Sequence, residues 1–220
     1  MGFPQLTELC PVLACITLAV LLFAGERTGN LRVKWLFKPL TSALFVLTAL
    51  LRNPVTGYDW LVVTGLGLSM AGDIALIRRD RRWFLAGLVV FLLGHVAYTV
   101  AFGTRADMLA LHPAALAAIA VASIAVFLYF RPHLAGMARP VAAYVAVITL
   151  MLASAWSLAW SLGGSDTTAW LIASGATLFY VSDFTVARDR FMSGAGFSNR
   201  ATGLVLYYVA QFLFAFSIGR

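Results

Sequence analysis

Long apolar runs separated by short polar connections make up most of this chain of 220 residues. A helix needs about 20 consecutive apolar residues to cross the hydrocarbon core of a bilayer. The sequence has eight candidate runs, at roughly 6–24, 33–51, 59–77, 83–103, 113–130, 139–162, 167–187 and 201–219. Turn-forming Gly, Pro, Asn and Ser residues fall between them. The pattern predicts an all-α fold in which residues 1–220 form a single domain, a polytopic bundle of eight transmembrane helices.

The composition supports a membrane protein. Hydrophobic residues are 61% of the chain and charged residues 11%, whereas a soluble domain is about half apolar and about a quarter charged. A net charge of +7 would suggest nucleic acid for a soluble protein. Here most of the charge lies in loops, so we expect membrane lipids around the chain and no nucleic-acid partner. No basic segment precedes the first apolar run, which predicts a retained span and not a cleaved signal peptide.

Metal and disulfide patterns do not stand out in the sequence. Cys10 and Cys15 both lie in the first apolar run and form neither a disulfide framework nor a metal pattern. The paired-histidine helix spacing of zinc enzymes is not present either. We therefore expect no metal and no cofactor.

The basic residues orient the chain. All of the 16 lysines and arginines except Arg52, Arg105 and Arg220 lie in or beside the loops after the first, third, fifth and seventh runs. Loops rich in Lys and Arg face the cytoplasm. We therefore expect these four loops to be cytoplasmic and both termini to lie outside, in a multi-pass protein of the bacterial inner membrane.

A faint internal repeat links the two halves of the chain. "KPLTSALFVLTAL" opens the second run and "RPVAAYVAVITLML" opens the sixth, while "GDIALIRRDRRWF" closes the third and "SDFTVARDRF" closes the seventh. A four-plus-four duplication keeps both halves in the same orientation, as parallel repeats in membrane proteins do. The pattern suggests a parallel 4+4 repeat.

Several polar side chains lie inside the apolar runs, where an ionised group facing lipid costs about 2.5–3.5 kcal/mol. They are Lys38, Asp73, His95, Tyr98, Tyr180, Asp183, Tyr207, Tyr208 and Gln211. Asp73 and Asp183 each lie about one helical turn from the cytoplasmic end of a predicted span, whereas His95 and Gln211 lie nearer the bilayer middle. Because the charges must face inward, we expect one polar cavity that opens toward the cytoplasmic leaflet and has the deeper residues as its floor.

Simpler roles for these residues stay open. Each aspartate could reach the membrane surface or pair with a nearby arginine, Arg78 or Arg188. Lys38 could extend to the lipid headgroups, bind phosphate or pair with an aspartate. His95, Gln211 and the tyrosines could act only as hydrogen-bonding links between helices.

Five stretches of the sequence, taken in order, resemble the lysoplasmalogenases, also called YhhN-like membrane proteins. They are "KPLTSAL" at 38–44, "LSMAGDIALI" at 68–77, "GLVVFLLGHVAYTVAF" at 87–102, "LFYVSDFTVARDRF" at 178–191 and "YYVAQFLFAFS" at 207–217. The resemblance implies eight spans and hydrolysis of the vinyl ether bond of a lysoplasmalogen, which releases a fatty aldehyde and a glycerophospho-alcohol. It implies a lysophospholipid substrate, and a homodimer stays an open alternative.

The implied reaction suits two carboxyl groups. Protonation of a vinyl ether at the carbon β to oxygen gives an oxocarbenium ion, which water captures, as in glycosidases. Two neighbouring carboxyls in a cavity of low dielectric do not easily both ionise, so one holds a proton. We expect Asp73 and Asp183 to be this acid–base pair, without an assignment of which is the acid. Lys38 suits the substrate phosphate, and the other polar residues suit water or the glycerol hydroxyls.

Transport is the competing hypothesis. Intramembrane aspartates, a lysine, a histidine and a duplicated half are also typical of a proton-coupled carrier of a small or lipid-like solute. A purely structural or lipid-binding protein is the third possibility. The carrier requires an aqueous path that also reaches the outer ends of the helices, near Asp59, Arg105 and Asp166.

Overall fold

The computed structural model describes residues 6–105, 110–163 and 166–219, with side chains from Cys10 onward. These residues form eight α-helices and a short 3-10 turn at Arg131–His133, and no strand. The helices are α1 (Leu6–Thr28), α2 (Leu31–Leu51), α3 (Gly57–Ala75), α4 (Arg81–Gly103), α5 (Pro113–Phe130), α6 (Ala138–Ser161), α7 (Thr167–Phe191) and α8 (Phe197–Phe216). The all-α prediction is confirmed.

Six of these helices are long and apolar enough to cross a membrane: α1, α2, α4, α5, α6 and α7. The protein is therefore an integral multi-pass membrane protein. The other two helices are more polar, because α3 carries Asp59 and Asp73 and α8 carries Arg200 and Gln211. Crossing of the membrane by all eight helices stays a prediction.

Helix starts are set by local side-chain caps. Asn30 caps α2 by accepting hydrogen bonds from the backbone of its first turn, and Asp166 does the same for α7. Thr56 and Asp59 form a reciprocal capping box at the start of α3. Asp80 caps α4, which explains an acidic residue within a loop that is otherwise strongly basic. These caps accept hydrogen bonds from backbone N–H groups of the first helical turn, which have no carbonyl acceptor within the helix.

The ends of α7 and α8 differ from the predicted runs. Helix α7 continues to Phe191, past the predicted end at 187, and α8 begins at Phe197, ahead of 201. Asp183 therefore lies about two turns from the end of its helix, not one. The hydrophobic pattern missed this extension because the added turn is polar and contains Arg188 and Arg190.

Glycines bring α3 close to α4 and α7 close to α8. A Cβ added to Gly65 would lie 2.4 Å from the Tyr98 ring, and one added to Gly175 would lie 2.8 Å from the Phe214 ring. Gly87 on α4 and Gly203 on α8 are similarly tight against α3 and α7. Both helix pairs therefore pack a glycine of one helix against an aromatic ring of the next, and the 4+4 repeat stays a prediction.

Replacing Gly65 with Ala is expected to destabilise the bundle by about 1–3 kcal/mol, because the new methyl group overpacks the site against Tyr98. The buried Tyr98 hydroxyl donates to Gln211 Oε1 at 2.8 Å, so displacement of the ring also breaks a link between α4 and α8. Gly67→Ala is the matched control on the same helix, because nothing lies within 4 Å of its added Cβ. Thermal unfolding in detergent measures both variants. A Gly65→Ala protein as stable as Gly67→Ala would contradict the packing argument.

Most helices share one aromatic core, while α5 lies at its edge. Phe45, Phe91, Tyr98, Phe179 and Phe214 are buried together near the centre of the bundle. Helix α5 packs mainly on α6, with fewer contacts to α7, and it exposes Val121, Ile124 and Leu128. Other α5 residues, Val126, Phe127 and Phe130, line the cavity described next.

Candidate active site

A cavity of about 300 Å³ lies at one end of the bundle, where the loops after α1, α3, α5 and α7 carry most of the basic residues. We call this end the basic end. Asp73 and Asp183 both line the cavity, and Tyr144 and Tyr207 lie beside them. The wall on the side of α5 and α6 is apolar and consists of Val126, Phe127, Phe130, Val141, Val145 and Ile148. One cavity therefore joins two carboxyl groups to a surface that suits an aliphatic chain.

Asp73 lies in a cluster of three hydrogen-bond donors. Lys38 Nζ lies 3.1 Å from Oδ1, and the hydroxyls of Ser42 and Tyr207 donate to Oδ2 at 2.6 and 2.7 Å. The Asp73 side chain is only 4% exposed. A buried ammonium and two hydroxyl donors stabilise the negative charge of a carboxylate. Asp73 is thus built into the structure as half of an ion pair.

Asp183 has a different set of neighbours. Tyr144 donates its hydroxyl to Oδ2 at 2.6 Å, and Nε2 of His95 lies 3.7 Å from the same oxygen. Among the described residues, no lysine or arginine lies within ion-pair distance of this carboxyl. The two aspartates therefore face one cavity in contrasting surroundings, one beside a cation and the other beside a phenol and an imidazole.

The hydrogen bonds of His95 determine how its ring faces Asp183. Its Nδ1 lies 2.6 Å from the Phe91 carbonyl oxygen. A carbonyl can only accept, so Nδ1 carries a hydrogen. In the neutral ring Nε2 is then an acceptor. It has no hydrogen-bond partner among the described residues, and it faces Asp183 Oδ2 at 3.7 Å. This side of His95 can accept a proton from Asp183 or return one to it.

Four of the predicted residues lie behind the cavity wall. His95, Tyr98, Tyr208 and Gln211 are buried, and the lining of the cavity does not include them. The expected floor is instead closed by Phe91, Tyr144 and Tyr207. Rings of the aromatic core, including Phe91 and Tyr207, line the cavity in their place. A direct contact between these four side chains and a substrate stays a prediction.

Tyr180 and Tyr208 hold neighbouring helices in place. The Tyr180 hydroxyl donates to Ser123 on α5 at 2.9 Å, and Tyr180 also lines the cavity. The Tyr208 hydroxyl lies 3.5 Å from Ser42. Tyr180 precedes Asp183 by three residues and so lies near it on α7, yet its hydroxyl reaches toward α5 and makes no hydrogen bond to the carboxyl.

Sequence reasoning missed Ser42 and Tyr144, which hydrogen-bond the two aspartates. Ser42 follows Lys38 by one turn of α2 and so shares its face, a signal that was available. Tyr144 is a polar side chain inside the sixth apolar run, within the segment that repeats the start of the second. The alternative pairing of Asp73 with Arg78 is not seen, because Asp73 pairs with Lys38 and Arg78 lies 3.6 Å from Asp80.

A chain of ion pairs surrounds the mouth of the cavity. Lys34 Nζ lies 2.7 Å from Glu26, Arg200 Nε lies 3.3 Å from the same carboxylate, and Arg200 Nη1 lies 3.2 Å from Asp189. Arg79 lies 3.1 Å from the other oxygen of Asp189. We call these five residues the rim network. All five line the cavity, and the sequence analysis identified none of them as site residues.

The fold and the site together define a class of protein. It is a helical, multi-pass membrane protein with two carboxyl groups facing one cavity, which is polar at the basic end and apolar beside α5 and α6. Within the described part of the chain, no group of three or more His, Cys, Asp and Glu side chains is arranged to hold a metal ion.

The chain belongs to the YhhN family, whose model matches residues 33–218. It is 37% identical over 158 residues to the lysoplasmalogenase TMEM86A of Bos taurus, a match that covers 71% of this chain and 64% of the relative. It is 31% identical over 217 residues to the lysoplasmalogenase TMEM86B of Rattus norvegicus, which covers 98% of this chain and 85% of the relative. A relative in Mycobacterium tuberculosis that is named lysoplasmalogenase is 30% identical over 176 residues, or 77% of this chain and 64% of that protein. No solved structure matches the chain. The expected family membership is confirmed.

Proposed function

We propose that this protein is a membrane-embedded hydrolase that cleaves the vinyl ether bond of lysoplasmalogens to a fatty aldehyde and a glycerophospho-alcohol. The main support is the placement of Asp73 and Asp183 in contrasting surroundings on one half-apolar cavity. The bovine, rat and mycobacterial relatives are named lysoplasmalogenases, which favours this reaction over others that a pair of carboxyls could catalyse.

Asp183 suits the role of general acid. The reaction needs a group that holds a proton and delivers it to the β carbon of the vinyl ether. Among the residues that the structure describes, no lysine or arginine lies within ion-pair distance of Asp183, and His95 Nε2 lies 3.7 Å from Oδ2 as a proton acceptor and donor. Because Oδ2 accepts from Tyr144, Oδ1 is the oxygen available to the substrate. Delivery of its proton leaves Asp183 as a carboxylate and the substrate as an oxocarbenium ion.

Asp183 can also act as the base for water in the second step of the reaction. The Asp183 carboxylate takes a proton from the water that attacks the oxocarbenium carbon, which restores the acid and leaves a hemiacetal. Retaining glycosidases likewise use one residue as the acid in the first step and as the base for water in the second step. The hemiacetal then collapses, its hydroxyl proton passing to the glycerol oxygen, to give the aldehyde and the glycerophospho-alcohol. One water is consumed, and no other reactant is required.

Asp73 suits the role of a fixed negative charge. Its carboxylate pairs with Lys38 and accepts from two hydroxyls, and a charge held in place before the reaction stabilises a developing oxocarbenium ion without reorganisation. Tyr207 lies beside it on the cavity wall and can orient the attacking water. This division assigns proton transfer to Asp183 and charge stabilisation to Asp73.

The apolar wall beside α5 and α6 suits the alkenyl chain. Val145 on α6 lines the cavity there, whereas the next residue, Ala146, is exposed on the surface of the helix. We expect Val145→Phe to lower kcat/KM for a hexadecenyl lysoplasmalogen about tenfold, since overpacking costs 1–3 kcal/mol. An octenyl substrate should be affected less, because its shorter chain contacts less of the apolar wall. Ala146→Phe is the control and should change neither substrate. An equal loss for both chain lengths would contradict this placement of the chain.

The proposed topology places the mouth of the cavity at the cytoplasmic leaflet of a bacterial inner membrane. Its support is the positive-inside rule applied to the loops of the basic end, together with the exposed Arg78 and Arg79 on the cavity lining. The described lining includes no residue near Asp59, Arg105 or Asp166, at the opposite ends of the helices. A lining confined to the basic end favours an enzyme over a carrier, which needs a path to both sides of the membrane.

An aldehyde-release assay tests the proposed function. Purified protein is given lysophospholipids with a vinyl ether, an ester or an alkyl ether chain, and only the vinyl ether should release aldehyde. In D₂O the aldehyde should carry one new deuterium on the carbon next to the carbonyl, because that carbon receives the proton from Asp183. Cleavage of the ester alone would overturn the proposal.

A further inference from the structure

Lys34 lies at the mouth of the cavity, one helical turn closer to the basic end than Lys38. Its side chain is 10% exposed, it lines the cavity, and its Nζ lies 2.7 Å from Glu26. An ammonium has three donors, and in the part of the chain that the structure describes Glu26 is its one ion-pair partner. Two of its N–H groups thus remain for a ligand.

Arg200 holds Lys34 and Glu26 in place. Its Nε and Nη2 lie 3.3 Å from the Glu26 carboxylate and from the Glu26 backbone oxygen, and its Nη1 lies 3.2 Å from Asp189. The guanidinium therefore joins α1, α7 and α8 through hydrogen bonds from Nη1 and Nη2 and an ion pair from Nε. Its role is to position Glu26, while the adjacent lysine keeps free donors.

The charge on the cavity lining favours an anion. Six basic residues line it, namely Lys34, Lys38, Arg78, Arg79, Arg190 and Arg200, against four acidic residues, Glu26, Asp73, Asp183 and Asp189. Lys38 is already neutralised by Asp73, so the excess positive charge belongs to the mouth. A phosphodiester carries one negative charge and accepts hydrogen bonds from ammonium groups.

The spacing also fits the proposed substrate. Lys34 precedes Lys38, the partner of Asp73, by four residues of α2, which is about 6 Å along the helix axis. In a lysoplasmalogen, five single bonds separate the phosphorus from the vinyl ether oxygen, and at roughly 1.2 Å per bond they span about 6 Å. A phosphate at Lys34 therefore places the ether oxygen at the level of Asp73.

We propose that Lys34, positioned by Glu26 and Arg200, binds the phosphodiester of the lysophospholipid headgroup at the mouth of the cavity. This inference rests on the proposed function and deepens it, because it moves the phosphate from Lys38, where the sequence suggested it, to a lysine that is one turn away. Lys38 then acts only as the ion-pair partner of Asp73.

The test compares a substrate with and without the phosphate. Lys34→Gln should raise KM for an alkenyl lysophosphatidylethanolamine about 10- to 100-fold, since hydrogen bonds to charged groups contribute about 1.5–3 kcal/mol. Its kcat should stay within about twofold, because uniform binding alone is lost. The KM for 1-alkenylglycerol, which has no phosphate, should not change. Lys34→Arg should keep most of the affinity. Arg82→Gln, a charge-matched change at an exposed residue that does not line the cavity, should change neither substrate.

A binding measurement separates this inference from the proposed reaction. Thermal stabilisation of the purified protein by an ester lysophosphatidylcholine is compared with that by a monoacylglycerol and by millimolar inorganic phosphate. The lysophosphatidylcholine effect should be lost in Lys34→Gln while the monoacylglycerol effect remains, even if the protein cleaves no vinyl ether. If Lys34→Gln lost stabilisation by both lipids equally, or by neither, the result would overturn the phosphate site. Stabilisation by inorganic phosphate as strong as that by the lipid would overturn the assignment to a headgroup.

Discussion

Asp183→Asn is expected to lower kcat for vinyl ether hydrolysis by about 10²–10⁴-fold, the usual contribution of a positioned proton-transfer group. The amide has no proton acidic enough to deliver to carbon. Its oxygen can still accept from Tyr144 at the position of Oδ2, so the fold should be kept. KM should change little, because kcat and kcat/KM fall together when an interaction made only in the transition state is lost.

The matched control for this variant is Asp80→Asn. Asp80 is an exposed carboxylate at the same end of the bundle, it does not line the cavity, and Asn is an equally good helix cap. Aldehyde release at the wild-type rate is expected from it. A folded Asp183→Asn protein with near-normal aldehyde release would remove Asp183 from the mechanism and leave His95 or Asp73 as the acid.

Asp73→Asn is expected to lower the free energy of unfolding by about 3–5 kcal/mol, because it leaves the charge of Lys38 buried without a partner. Lys38 is only 9% exposed, so water in the cavity can replace the carboxylate only in part. Activity should also fall by about 10²–10³-fold, through loss of the charge that stabilises the oxocarbenium ion. Denaturant unfolding in detergent and the aldehyde assay measure the two effects.

A double variant separates the two roles of Asp73. Asp73→Asn combined with Lys38→Met removes both charges, and replacement of a buried ion pair by apolar groups is often neutral for stability. We expect the double variant to regain most of the lost stability and none of the lost activity. Recovery of both would mean that Asp73 is needed only as the partner of Lys38.

The helices and their order follow from local properties of the sequence. The thickness of a bilayer dictates the length of an apolar run, and within such a run every backbone group must bond inside its own helix. The caps at Asn30, Thr56, Asp80 and Asp166 are likewise local. The polar extension of α7 past 187 escaped prediction because hydrophobicity does not mark it.

The depth of the polar residues was also predictable, since the rise per residue of a helix is constant. Depth brought Lys38, Asp73, Asp183 and Tyr207 to one level, and they lie on one cavity. It could not show which face of each helix turns inward. His95 and Gln211 were therefore expected to form the cavity floor, whereas aromatic rings cover them.

The sequence by itself determined an all-α membrane protein of the YhhN family with two intramembrane aspartates. Helix length, hydrophobicity and family motifs each depend on residues that are contiguous in the sequence. The tertiary structure alone decided that Asp73 pairs with Lys38 and Tyr207, and that Asp183 meets Tyr144 and His95. The Asp73–Tyr207 bond joins residues that are 134 positions apart. Such partners depend on how the glycine-lined faces of neighbouring helices pack. That packing gives two chemically identical side chains different neighbours, and therefore different roles in the proposed reaction.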